Sequence, residues 1–271
     1  MKLNMVHRIP LKTMPGLLGM CLLGMASQVV GGIIPTPSAL YHFDGNAKNA
    51  ITSSNSATLG NGAVVASTNV RVGSGSLNAS VNPDSYATLP EGAGIAGSNH
   101  WTLTLWLDPE ETAQWGDVIN WGTNGLRLAN YDGGGTWYLQ DTGYNAAWNS
   151  YTISTGAEWQ FLALTADGTD FKIYTGTKSG ETWTLSTAYT HTIVAGESLK
   201  AGDTMGLSTN AAMLGAGGNG SFFDEIAIWN SGLAATEIQS VFDAGVNGLP
   251  IPEPAAAGML ALGALMMLWR R

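Results

Sequence analysis

Through the middle of the chain, short stretches of alternating apolar and polar residues recur roughly every ten to fifteen positions, the spacing of strands joined by turns. Ala39-Leu40-Tyr41-His42-Phe43 alternates and ends at Asp44-Gly45. Trp101 to Leu107 puts Leu103, Leu105 and Leu107 on one face and Thr102, Thr104 and Trp106 on the other; Asp108-Pro109 stops it. Shorter signals are Ala63-Val64-Val65, Val118-Ile119-Asn120-Trp121, Leu126 to Tyr131 and Met205 to Ser208. Trp159 to Thr165 turns at Asp167-Gly168 into Phe171-Lys172-Ile173-Tyr174, a hairpin pattern. Phe222 to Trp229 is the last strand. After it the period changes to that of a helix: Ala234, Ile238, Val241 and Phe242 share one face, Glu237 lies near the start and Gly245 near the end. No linker or repeat interrupts residues 36–247. The pattern predicts one all-β domain, a two-sheet antiparallel sandwich closed by a short helix.

Composition agrees. Only 11% of residues are charged, and 36 are glycine. An all-α protein needs more Lys, Glu and Arg for its outer faces. The formal net charge of −9 argues against a nucleic-acid surface.

The two ends differ from the body. Residues 1–26 carry Lys2, Arg8 and Lys12, then an apolar run from Gly16 to Ala26, and read as a secretory signal cut after Ala26. The alternative is an uncleaved N-terminal anchor. At the other end, Ile251-Pro252-Glu253-Pro254 precedes the uncharged stretch 255–269 and the basic pair Arg270-Arg271. As a helix that stretch is roughly 22 Å long, short for a bilayer core. Residues 248–271 resemble a PEP-CTERM sorting signal of Gram-negative bacteria, with Pro252, Glu253 and Pro254 as its motif and 255–269 as its membrane segment. The resemblance implies an exosortase-type processing enzyme as partner, transient anchoring in the inner membrane, and delivery to the cell surface or extracellular matrix. An ordinary C-terminal anchor is the alternative. Setting the ends aside removes five basic residues and one acid, leaving six basic against nineteen acidic, a net charge of −13. The sole cysteine, Cys21, goes with the signal, so no disulfide holds the body.

Four segments of the body, in order, resemble LamG-like domains of the concanavalin A-like lectin/glucanase superfamily. They are Tyr41 to Gly45, Trp101 to Leu107, Glu158 to Tyr174, and Gly220 to Ile238 with its Asp-Glu strand and terminal helix. Ala234 stands where the family often has a capping serine. The resemblance implies a jelly roll. It also implies a calcium ion between the first and a late strand, held by Asp44, the Gly45 carbonyl and Asp224.

Hydrolysis needs two carboxylates about 5.5 Å apart or wider across the scissile bond. The chain has no Glu-x-Asp-x-(x)-Glu strand; Glu110-Glu111 lies in a turn, and Asp224-Glu225 are strand neighbours expected to face opposite ways. His42, His100 and His191 lack zinc-ligand spacing and read as packed or surface residues. Trp101, Trp106, Trp159 and Trp229 lie in strand patterns and read as core. Trp115, Trp121, Tyr131, Trp137, Tyr144 and Trp148, interleaved with Asn and Asp, form a candidate sugar-binding set, because pyranose C–H faces stack on aromatic rings. The expectation is a non-catalytic binding or adhesion module for a polysaccharide or matrix glycan. A structural matrix protein is the alternative, and a glycoside hydrolase or lyase the remoter one.

Overall fold

The computed structural model describes residues 34–52, 55–79, 85–90, 95, 97–109, 116–120, 126–130, 136–141, 146–152, 158–199, 204–207 and 221–253. Between 116 and 152 the described side chains are Ile119 and Leu126 to Leu128; over 204–207 the backbone alone is described. The signal, the stretch 255–269 and Pro254 lie outside these residues. Among the described residues no helix is long and apolar enough to cross a membrane.

Among the described residues, fifteen strands and one helix follow in order: β1 (Ala39–Tyr41), β2 (Thr58–Gly60), β3 (Val64–Ala66), β4 (Ser76–Asn78), β5 (Tyr86–Pro90), β6 (His100–Pro109), β7 (Gly116–Asn120), β8 (Arg127–Asn130), β9 (Thr136–Asp141), β10 (Ala146–Thr152), β11 (Gln160–Asp167), β12 (Asp170–Ser179), β13 (Thr182–Thr192), β14 (Thr204–Leu207), β15 (Ser221–Trp229) and α1 (Ala235–Val246). They form two antiparallel sheets. The eight-stranded sheet runs β13-β12-β11-β6-β15-β4-β3, with β1 also on β15; the seven-stranded sheet runs β10-β9-β8-β7-β14-β5-β2. The two-sheet sandwich expected from the alternation is the observed fold.

Alternation decides which residues meet. Leu103, Leu105 and Leu107 of β6 pack between the sheets with Leu164, Phe223 and Ile228, against Ala87, Leu89, Ile119 and Leu128 of the other sheet. The opposite face of the eight-stranded sheet is also apolar: Leu40, Trp106, Phe161, Tyr174, Ala227 and Trp229 are covered by Ile238, Val241 and Phe242 of α1. A strand with both faces covered loses its polar alternation, and β15 is buried at every position.

Helix α1 begins at Ala234, which has extended dihedrals (φ −66°, ψ 156°) and no side chain that can cap. Glu237 supplies half of a capping arrangement, its Oε2 accepting the Ala234 amide at 2.8 Å. Ala234 is the exposed cap residue and does not share the buried stripe of Ile238, Val241 and Phe242. At the other end Gly248 takes φ +68°, a left-handed turn open to glycine, and Leu249 N–H donates to Ala244 O at 2.9 Å. This turn sends the chain back across the outer face of the sheet.

Three tryptophans read as core are buried: Trp101, Trp106 and Trp229 are at most 1% exposed. Trp159 is only half-buried, its indole N–H donating to Asn69 Oδ1 at 3.0 Å.

Candidate functional site

The first strand, the last strand and the segment after α1 converge at one place on the outer face. The cause is a β-bulge in β15. Its register with β6 shifts between Asp224 and Ala227, and Glu225 takes φ +48°. Phe223 and Ile226 both point between the sheets, so two residues stand between inward positions instead of one. Asp224 lies opposite the outward Trp106, and Glu225 meets His42 and Ile251. Both carboxylates therefore turn to the outer face. Expecting them on opposite faces was wrong, because a bulge resets the period of two.

The two acids are buried, at 0% and 2% exposure, and are held differently. Asp224 Oδ2 accepts the amides of Arg71 (3.0 Å) and Val72 (2.9 Å), and Oδ1 accepts the Glu225 amide at 2.9 Å. Burial pushes its pKa up to about 8, with the Glu225 charge adding to the rise and the amides opposing it. The Arg71 guanidinium lies between two indoles, 4.4 Å from the Trp106 ring and 4.7 Å from the Trp183 ring. Its Nε and Nη2 are buried with no hydrogen-bond partner among the described residues. Burial lowers the Arg71 pKa, and Asp224 works against that.

Glu225 joins the three converging segments. Its Oε1 lies 2.5 Å from His42 Nδ1, and its Oε2 accepts the Ile251 amide at 2.8 Å. The other ring nitrogen, His42 Nε2, is 3.6 Å from Glu253 Oε1. Burial works against a charged ring, but the hydrogen bond and charge of Glu225, with Glu253 and Asp44, outweigh it and raise the His42 pKa above its ordinary value. Beside this pair opens a cleft of about 360 Å³ lined by His42, Asp44, Asn46, Lys48, Asn49 and Glu253 among others. Phe43, at φ +58°, lies two residues past β1 and turns the chain into the cleft wall.

Asp44 is held by a second set of amides. Its Oδ1 accepts Ser74 N–H at 2.5 Å, Gly75 N–H at 3.0 Å and the Ser74 hydroxyl at 3.2 Å. Gly73 and Gly75 make this wrapping possible. A side chain at 73 would strike the Asp44 carboxylate, and one at 75 the Phe43 carbonyl. The oxygens of Asp44 and Asp224 named above thus already bind backbone donors. Gly45 donates its amide to Phe43 O at 2.8 Å. Among the described residues, no group of three or more His, Cys, Asp or Glu side chains is placed to hold a metal ion.

The candidate sugar-binding aromatics are reached only in part. Trp115, Trp121, Tyr131 and Tyr144 lie outside the described residues; Trp137 is in β9 and Trp148 in β10, their backbone alone being described. Pro252 and Glu253 are at the convergence. His42 was read from sequence as an isolated histidine. Its partner is 183 residues away, and the only local signal was the Asp-Glu pair interrupting an otherwise apolar strand.

Comparison with known proteins places this geometry in a family. No curated protein matches the chain. Among solved structures, the chain is similar to domain 4 of the extracellular arabinanase AbnA from Geobacillus stearothermophilus in complex with arabinotriose. Identity is 18%, the match covers 76% of this chain and 97% of that one, and the TM-score is 0.53. It is also similar to the botulinum neurotoxin serotype G binding domain, with 13% identity, coverage of 76% and 50%, and a TM-score of 0.57. The binding domain of botulinum neurotoxin DC in complex with SialylT matches at 10% identity, with coverage of 76% and 50% and a TM-score of 0.53. The chain spans about half the length of these toxin domains. Residues 80–239, including β6, β11, β12 and β13 of the helix-covered sheet and the bulged strand β15, match the family itself, and the chain belongs to the concanavalin A-like lectin/glucanases superfamily.

Proposed function

We propose that the protein is a non-catalytic carbohydrate-binding module of an exported, surface- or matrix-associated protein. The observation that carries the non-catalytic part is the placement of Asp224 and Glu225. They are adjacent on one face, yet buried, Asp224 against the Arg71 and Val72 amides and Glu225 against His42 and the Ile251 amide. A glycosidase pair must reach both sides of a scissile bond. For carbohydrate, the support is the fold. Two of its similar structures, the arabinanase domain and the neurotoxin DC binding domain, are complexes with arabinotriose and SialylT.

The aromatic set remains the proposed sugar surface, and the ladder β7-β8-β9 supports part of it. Gly116 pairs with Asn130, and Asn130 with Trp137. The backbone of Trp137 thus stands on the β8-β9 ladder, opposite Asn130. Export, the signal cut after Ala26, and recognition of Pro252-Glu253-Pro254 by a membrane processing enzyme complete the proposal.

A glycan array probed with the full chain tests it, with a polysaccharide panel assayed in parallel for released reducing ends. Binding without release is expected, and Trp137→Ala should weaken it. Release of reducing ends would overturn the non-catalytic reading. Binding to no glycan would favour a structural matrix role.

A further inference from the structure

Two tryptophans of the helix-covered sheet are only half-buried. Trp159 and Trp183 both pack against the cluster that α1 covers, so their rings lie on the outer face of the eight-stranded sheet. Each is held from a second side. The Trp159 indole N–H donates to Asn69 Oδ1 at 3.0 Å, and Asn69 Nδ2 donates to Asp108 Oδ2 at 2.7 Å. Asn69 itself takes φ +51°, a left-handed conformation that asparagine adopts more readily than most residues. The Trp183 ring meets Trp106 edge-on at 5.3 Å and carries the Arg71 guanidinium 4.7 Å from its centroid. Both rings are thus fixed before any ligand arrives, which removes the ordering cost of a stacking contact.

The sheet sets their spacing. Trp159 immediately precedes β11 and Trp183 lies in β13, with β12 between. Two strand spacings put their backbones about 9–10 Å apart. Lys178 of β12 is the register partner of Trp183, and continuing the β11–β12 pairing past Phe161 and Gly176 sets it opposite Trp159 as well. Lys178 makes no ion pair among the described residues. Arg71 has Nε and Nη2 buried, so it reaches outward through Nη1. The row therefore reads ring, donor, ring, with a second donor above it. One strand spacing is close to the length that each pyranose adds to an extended β-linked chain.

We propose that Trp159, Lys178 and Trp183, with Arg71, form a binding platform for an extended, neutral, β-linked polysaccharide. Alternate pyranose faces stack on the two rings, and the sugar between them accepts hydrogen bonds from Lys178 and Arg71 Nη1 at its hydroxyl oxygens. A neutral chain fits better than an acidic one. Outside its two ends the protein carries a net charge of −13, and Glu158 and Glu181 are exposed beside Trp159 and near Trp183. The platform belongs to the eight-stranded sheet and uses no residue of the aromatic set proposed above. It rests on the carbohydrate reading and gives that reading a second place and a ligand shape.

Isothermal titration calorimetry of the full chain in detergent tests it, with cellohexaose, xylohexaose and mannohexaose as probes and a galacturonate hexamer as the charged control. At least one neutral hexaose should bind. Its affinity should rise about tenfold from the disaccharide to the trisaccharide, the shortest chain that spans both rings. Trp159→Ala and Trp183→Ala should each weaken the hexaose about ten- to thirtyfold. Lys178→Gln should weaken it about two- to fivefold. Trp183 also packs on Phe242, so the chain-length series, Trp159→Ala and Lys178→Gln carry the test should the Trp183 variant fail to fold. Tighter binding of the galacturonate hexamer than of any neutral one overturns the proposal, as does binding of no neutral hexaose. Hexaose binding that Trp137→Ala abolishes and Trp159→Ala and Lys178→Gln leave intact overturns the platform while the carbohydrate reading stands. If the glycan array is blank as well, that reading falls with it.

Discussion

Phe242 is the side chain through which α1 grips the sheet, and its removal has a calculable cost. Its ring stacks on Trp106 at 5.9 Å and 15°, and touches Phe161 at 5.5 Å and Trp183 at 6.3 Å. It is 2% exposed. Phe242→Ala removes those contacts and leaves a cavity that three fixed rings cannot collapse, for a loss of about 3–5 kcal/mol. In a domain of this size each kcal/mol lowers the melting temperature by roughly 2–4 °C, so a fall of about 10 °C is expected. Gly176 of β12 lies directly beneath: an added Cβ would stand 2.8 Å from Phe242 Cδ2 and 2.9 Å from Phe161 Cβ. Gly176→Ala alone should overpack the site and cost about 1–3 kcal/mol. In the double variant the new methyl enters the space the ring has left. The combined loss should then be about 1–2 kcal/mol smaller than the sum of the single losses. Urea titrations of the four proteins, followed by near-ultraviolet circular dichroism, give the cycle. Losses that add to within about 0.5 kcal/mol would refute the claim that the glycine exists to seat this ring.

Stability should also depend on pH with a definite sign. His42 and Asp224 both have raised pKa values, so both hold protons more tightly folded than unfolded. Their contributions are complete below the unfolded values and are lost as pH rises through the folded ones, for Asp224 up to about pH 8. Asp167 and Glu197 have lowered values, and their contributions are lost as pH falls below the ordinary carboxylate range. Denaturation midpoints should therefore peak between about pH 4 and 6 and decline toward 8; a midpoint still rising from pH 6 to 8 would contradict the assignment. Asp44→Ala leaves the amides of Ser74 and Gly75 without their acceptor and should cost about 1–3 kcal/mol, read by the same titration. If calcium is held as the family resemblance implies, by Asp44, the Gly45 carbonyl and Asp224, calcium should raise the melting temperature and a chelator lower it by several degrees. No shift beyond about 1 °C from either would remove that ion from the fold.

What could be read from the sequence follows from which physical signal each segment carries. β6 was legible because one of its faces meets only the other sheet, so Leu103, Leu105 and Leu107 repeat with a period of two. β13 was missed. It is an edge strand with Thr182, Thr184, Ser186, Thr190 and Thr192 outside the core, so the hydrophobic pattern has nothing to mark. Its half-buried residues also change face: Trp183 and Leu185 pack toward α1, and Tyr189 toward the other sheet, across a register shift. The same limitation governs the site. A bulge changes which side a residue faces without changing composition, so Asp224-Glu225 looked like an ordinary strand pair. The partners that give these acids their roles, Arg71, Val72, His42 and Ile251, come from loops and strands fixed only when the sheets close. Local sequence records a residue's alternation and its turns. It does not record that β1 and β4 divide one edge of β15 between them, which is the arrangement that brings His42 to Glu225.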